Sequence, residues 1–204
     1  MTYLLLPEMI RFFENWVAVE ANGAGHVVEL LASMRPLNLW QEIRPSSLPV
    51  VQQWLDKACQ QPTAPQCGPL VAALRQGVEP LHWLSLEPDY VGEQAAAGFA
   101  YTQLIGPPID LQNVSKFASD KIAAGFILQA PGIFYSPHYH KAIEFYGVLA
   151  GTARWQLGSQ PPTWQPSGSC IFHDSDVPHA METADEPLLA IWAWLGEVDS
   201  PLIR

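Results

Sequence analysis

Over roughly the first eighty residues, apolar positions recur at intervals of three and four. Farther on they alternate or form short unbroken runs. Met9, Ile10, Phe12, Phe13, Trp16 and Val17 share one face of a helix that Pro7 can open in its first turn and Asn22-Gly23 can stop. A second, short helix is expected over His26 to Met34, halted near Pro36. A third begins with Ser47 as cap and Pro49 in the first turn, and aligns Val50, Val51, Trp54, Leu55 and Ala58 on one side. A fourth runs from about Pro69 to Gln76 and ends at Gly77. No polar constellation falls in this part. Residues 1–90 therefore read as a helical N-terminal cap, packed on the C-terminal half of the chain and shielding the mouth of its pocket.

From about Ala95 the runs become short and are divided by Gly, Pro, Asn or Asp. Strands are expected at Phe99–Leu104, Ala123–Gln129, Ile133–Ser136, Ile143–Ala150, Thr152–Leu157, Ser169–His173, His179–Glu182 and Leu188–Trp194. Many short strands at near-regular spacing predict a mainly β fold, a sandwich or barrel over residues 95–204. The boundary falls in the Glu/Pro/Gly-containing stretch Glu87–Gly98. No internal repeat, P-loop or dinucleotide fingerprint occurs.

Composition narrows the partners. The 204 residues are 49% hydrophobic and 15% charged, enough to bury a sizeable core. A net charge of −10 argues against nucleic acid and anionic membranes as partners. Cys59, Cys67 and Cys170 are too few, and odd in number, for a disulfide framework. The N-terminus lacks a basic region and a small-residue cleavage site, and no apolar run is long enough to span a membrane. A soluble, cytoplasmic chain is expected, as monomer or homodimer.

Candidate chemistry concentrates in Gly132 to Gly151. His138 and His140 stand two apart, so on a strand their imidazoles share a face. Glu144 and Tyr146 do the same on the next strand, with Lys141-Ala142 as the turn between. A barrel can aim all four side chains inward. Two histidines and a carboxylate are a known set for a divalent metal with open positions, and a buried Glu144 is costly without a cation. Zn, Fe, Mn, Co and Ni all suit such donors. A further histidine can come from His173 or His179.

At these residues the chain resembles the cupin superfamily. Gly132, His138, His140, Glu144 and Gly151 fill its first motif, G-x5-H-x-H-x3/4-E-x6-G. In the second, G-x5-P-x-G-x2-H-x3-N, Gly168 and His179 keep the spacing, while Asp174, Asp176 and Thr183 replace Pro, Gly and Asn. The resemblance implies a double-stranded β-helix (jelly-roll barrel) holding a metal on His138, His140, Glu144 and His179. It leaves His173 as structural or solvent-facing, and Asp176 as a change in the turn before the ligand strand.

Further residues sharpen the likeness. Tyr146 follows Glu144 by two, Tyr135 precedes His138 by three, and Trp192 and Trp194 share a face on the last strand. With the helical extension, this set resembles the bacterial cupin-type dimethylsulfoniopropionate (DMSP) lyases, most of all the Q-type. The resemblance implies β-elimination of a small zwitterionic sulfonium to dimethyl sulfide and acrylate. Metal would stabilise the enolate-like charge. Tyr146, or else Tyr135, would be the base, its phenol lowered by the cation. Tyr135, Tyr139, Trp192 and Trp194, with Phe134 and Trp155, are candidates to face the sulfonium.

Three rival readings stand beside this one. An Fe(II) cupin dioxygenase uses the same ligands but needs oxygen and leaves Tyr146 without a role. A sugar isomerase would carry more Lys and Arg for phosphate. A ligand-binding regulatory cupin would carry a basic DNA-binding element, which the helical half lacks.

Overall fold

The computed structural model describes residues 5–37, 43–77, 81–109 and 114–204. Four helices come first: α1 (Leu5–Ala18), α2 (Ala24–Met34), α3 (Pro49–Cys59) and α4 (Gly68–Gly77). They follow the expected periodicity to within a few residues. The cap of α3 differs from expectation, since Leu48 and not Ser47 occupies it and no side chain bonds the free N–H groups. Pro49 offsets this by lacking an N–H at the first helical position.

The remaining elements are β1 (Trp83–Leu84), α5 (Pro88–Val91), α6 (Glu93–Gly98), β2 (Phe99–Thr102), β3 (Ile105–Gly106), β4 (Phe117–Ala118), β5 (Ile122–Gln129), β6 (Phe134–His138), β7 (Ile143–Ala150), β8 (Thr152–Leu157), β9 (Thr163–Pro166), β10 (Cys170–His173), β11 (His179–Thr183) and β12 (Leu188–Leu195). The larger sheet has the order β1-β2-β5-β12-β7-β10, with β3 and β4 attached at β5. The smaller has the order β6-β11-β8-β9. From β5 onward the chain passes back and forth between the two sheets, which is the jelly-roll arrangement. Strand β1 lies within the stretch read from sequence as all helical, and joins the sheet beside β2.

The helices take a place that sequence reasoning did not foresee. They cover the outer face of the larger sheet, with α1 and α4 near β7 and α3 near β5 and β12. Phe13 and Trp16 meet Phe145 edge-on at 6.4 and 5.7 Å. Gly147 leaves room for Phe12, whose Cζ would stand 2.2 Å from an added Cβ. None of the described residues 5–37 and 43–77 lines the main cavity, so α1 to α4 are a backing layer and not a lid over it. The physical reason lies in β5 and β12. β5 is buried at all eight positions and β12 at six of eight, because one face looks into the barrel and the other needs an apolar cover. β8 and β9, with an outer face open to water, alternate or stay exposed.

Candidate metal centre and adjoining cavity

Strand register builds the site. In the larger sheet, Glu144 of β7 lies between His173 of β10 and Trp194 of β12. Tyr146 lies beside Trp192 one step along. In the smaller sheet, His179 of β11 pairs with His138 of β6. His140 follows β6 and returns toward Glu144. The four histidines and the glutamate are all at most 2% exposed.

Each imidazole of the predicted set is oriented by a backbone carbonyl. His138 Nδ1 bonds Ser136 O at 2.9 Å, His140 Nδ1 bonds Ala142 O at 3.0 Å, and His179 Nδ1 bonds Val177 O at 3.0 Å. A carbonyl can only accept, so Nδ1 carries the proton and Nε2 presents a lone pair inward. His140 Nε2 stands 3.2 Å and His179 Nε2 3.0 Å from the same oxygen, Glu144 Oε2. One proton on His140 can bridge its contact. His179 Nε2 is buried without a hydrogen-bond partner, facing a carboxylate oxygen. Lone pairs facing one another in a dry interior call for a cation. His140, Glu144 and His179 present donor atoms within 4.8 Å of one another, so together they could hold a metal ion. His138, expected as a fourth ligand, lies outside this compact set. Its ring instead packs on His179 at 4.3 Å and on Tyr135 at 4.1 Å.

The electrostatics agree with such a centre. Burial alone would raise the Glu144 carboxyl, but the His140 charge, the His140 and His173 hydrogen bonds and the close approach of His179 hold it well below the usual carboxylate range. Burial lowers His140 too, yet Glu144 outweighs this and raises it. Burial, then the neighbouring His179, pushes His138 down to about 3 and His173 down to about 4. Burial and the Glu144 charge push the phenols of Tyr135 and Tyr146 above the ordinary tyrosine value. Without a cation, both stay protonated.

A cavity of about 370 Å³ opens onto this centre, within the usual range for small-molecule sites. Tyr135, His138, Glu144, Tyr146, Trp192 and Trp194 line its floor and walls, with Phe99 and Tyr101 beside them. Leu86, Pro107 to Ile109, Val198 to Ser200 and Leu202 also line it. No lysine or arginine is among the described lining residues. Three aromatic candidates fall elsewhere. Tyr139 is half-buried and pairs through its backbone with Ile203, Phe134 is exposed, and Trp155 packs behind Tyr146 at 5.2 Å. None of them lines the cavity.

Two features escaped sequence reasoning. His173 is fully buried, with Nδ1 3.1 Å from Glu144 Oε2, and not at the surface. Trp194 turns its indole N–H to Glu144 Oε1 at 2.6 Å, acting through the carboxylate as well as the cavity wall. A lone histidine ending a strand carries no sequence signal of this role; only the pairing of β10 with β7 reveals it. Asp176 takes the left-handed conformation, φ 60°, at the place of the second-motif glycine. Asp tolerates that region better than most residues, so the turn into β11 keeps its shape, and Asp176 N–H bonds His140 O at 2.9 Å. Thr183, in place of Asn, joins Ala130 O and Ile133 N–H and so ties β11 to the start of β6.

The sequence pattern of the dimethylsulfoniopropionate (DMSP) lyase family matches residues 26–190. The chain belongs to that family. Among curated relatives, the dimethylsulfoniopropionate lyase DddQ of Ruegeria pomeroyi is 38% identical over 84 residues, 41% of this chain and 42% of that protein. The putative dimethylsulfoniopropionate lyase DddL of Cereibacter sphaeroides is 30% identical over 108 residues, 52% of this chain and 42% of that protein. The chain thus spans about two-fifths of the length of the curated DMSP lyase relatives it matches. Among solved structures, the DMSP lyase DddQ from Ruegeria pomeroyi superposes with a TM-score of 0.71 at 27% identity, covering 94% of this chain and 95% of that one. A chain from the crystal structures of the DMSP lyases RdDddP and RnDddQII reaches 0.76 at 23% identity, covering 99% and 98%. That second likeness supports the fold. No helix among the described residues is long and apolar enough to cross a membrane.

Proposed function

We propose that this protein is a metal-dependent DMSP lyase, eliminating dimethyl sulfide from DMSP to leave acrylate, with Tyr146 as general base. The observation that carries the reading is the convergence of His140 and His179 Nε2 on Glu144 at the floor of an aromatic cavity without basic residues. These three residues would hold one divalent transition metal, with His138 beside them. The bound ion would supply the positive charge that a substrate carboxylate needs and that the described lining residues lack.

The residues divide the remaining work. Trp192, Tyr101 and Phe99 offer apolar, electron-rich faces to a sulfonium, and contacts of this kind contribute about 0.5–2 kcal/mol each. Tyr146, 4% exposed and in the wall beside Glu144, is the base that takes the proton from the carbon next to the carboxylate. The C–H electron pair becomes the new C=C bond, the far C–S bond breaks, and sulfur leaves with its pair as neutral dimethyl sulfide. No acid is required at the leaving group. Because burial and Glu144 favour the protonated phenol, Tyr146 becomes a base only with a cation at the neighbouring donors. Tyr135, stacked on His138 in the same cavity, is the second candidate and otherwise orients substrate.

The test is to incubate the purified, metal-loaded protein with DMSP under nitrogen and measure headspace dimethyl sulfide and dissolved acrylate. Equal amounts of both are expected. No dimethyl sulfide, or product only when oxygen is admitted, would refute the reading and favour oxygen chemistry.

A further inference from the structure

We infer that His173 is a positioning residue for the metal centre, holding Glu144 and the ring of His179 in the geometry that presents their donor atoms together. The inference rests on the metal-site reading above and assigns a role to a residue outside the candidate ligand set and outside the cavity.

Register comes first. His173 on β10 and Trp194 on β12 flank Glu144 on β7, one on each side. Each reaches a different carboxylate oxygen: His173 Nδ1 stands 3.1 Å from Oε2, and Trp194 Nε1 stands 2.6 Å from Oε1. With one donor on each oxygen, the carboxylate plane cannot rotate freely. The remaining lone pairs of Oε2 are left to face His140 and His179.

The ring does a second task. His173 and His179 lie face to face, centroids 3.9 Å apart and planes inclined by 19°. His179 is therefore held on one side by its Nδ1 bond to Val177 O and on its face by His173. One residue thus constrains two of the three candidate ligands.

A space-filling role explains this residue poorly. His173 is fully buried, and its Nε2 has no hydrogen-bond partner. An apolar ring of similar size would fill the space without burying an unpaired nitrogen. What an apolar ring cannot supply is the N–H to Glu144. His173 does not line the cavity, so it acts through Glu144 and not on substrate.

The experiment is a titration of chelator-treated protein with Co(II) alone, followed by the visible d–d absorption of the bound ion. Wild type is compared with His173→Phe, which keeps a ring but no donor, and His173→Asn, which keeps an N–H near the Nδ1 position. Loss of an outer partner of a metal ligand typically lowers metal affinity about 10–100-fold. His173→Phe is expected to show that loss and an altered absorption envelope, while His173→Asn stays within about threefold of wild type. If His173→Phe does not fold, His173→Leu is read in its place with the same expectation. A donor-less variant that binds Co(II) within about threefold of wild type overturns the inference. So does an asparagine variant as weak as the donor-less one, which would assign the effect to packing. Wild type that takes up no Co(II) contradicts the metal site itself, a result distinct from either.

Discussion

Replacing Tyr146 by phenylalanine separates its chemistry from its packing. The ring keeps its contacts with Trp155, at 5.2 Å, and with His173, at 5.5 Å. Only the hydroxyl beside Glu144 is lost. A hydrogen bond to a charged group contributes about 1.5–3 kcal/mol to stability. The cost here should fall near the lower end, because Glu144 keeps donors from Trp194, His173 and His140. The variant should therefore fold and retain most of its metal. Its kcat should fall about 10²–10⁴-fold, the usual contribution of a general base, or about 2.7–5.4 kcal/mol of barrier. KM should move little, since the ring still walls the cavity. The assay is headspace dimethyl sulfide from metal-loaded protein across a range of DMSP concentrations, with Tyr135→Phe in parallel. If Tyr146→Phe keeps kcat within about threefold while Tyr135→Phe is inactive, Tyr135 is the base and strand position does not decide the role.

Other outcomes rest on the same geometry. Trp194→Phe removes the donor to Glu144 Oε1 and should weaken metal uptake several-fold while leaving the protein folded; unchanged uptake would show that the indole serves only as cavity wall. Gly147→Ala places a Cβ 2.2 Å from Phe12 Cζ and 2.9 Å from Ile191, and should cost about 1–3 kcal/mol in urea unfolding by forcing α1 off the sheet. A variant as stable as wild type would mean that α1 is not held as tightly as the packing implies. For metal-free protein, His138 and His173 sit at about 3 and about 4, below the unfolded histidine value of about 6.5. Between those limits the unfolded chain binds protons that the folded chain refuses. Stability should thus fall with falling pH, by about 1.4 kcal/mol per unit for each histidine. His140, raised by Glu144, works the other way and removes stability as pH rises past 6.5, so a maximum is expected near that pH. Urea midpoints that stay flat from pH 6.5 to 4.5 would contradict this balance.

Much of this was legible in the chain. The two-residue spacing of Glu144 and Tyr146 places that pair on one face of β7, His138 ends β6 with His140 just beyond it, and the barrel brings both pairs inward. The four helices and eight main strands were marked by period and by Gly and Pro punctuation. What local pattern cannot carry is pairing between distant segments. The His173 contact depends on β10 lying beside β7, and the Trp194 bond on β12 lying on the other side. Tyr139 shows the same limit in reverse: as an aromatic between two inward histidines it attracts attention, but strand alternation sends it to the other face. Short elements were also missed. β1, β3 and β4 are two residues long, and β9 is exposed, so none carries a hydrophobic signature of its own. The helices were found but misplaced, because an amphipathic face states that it needs a partner and not which surface supplies it.

Metal dependence is tested most simply by a titration read as turnover. Chelator-treated protein is supplied with increasing divalent metal under nitrogen, and dimethyl sulfide release from DMSP is followed together with bound metal. The stripped protein should show no turnover. The rate should rise in proportion to bound ion and level off at one per chain, with no such rise in a His140→Ala/Glu144→Ala protein. Turnover in the stripped protein equal to that of the loaded one, or a rate indifferent to ion uptake at these residues, would contradict a metal-dependent lyase.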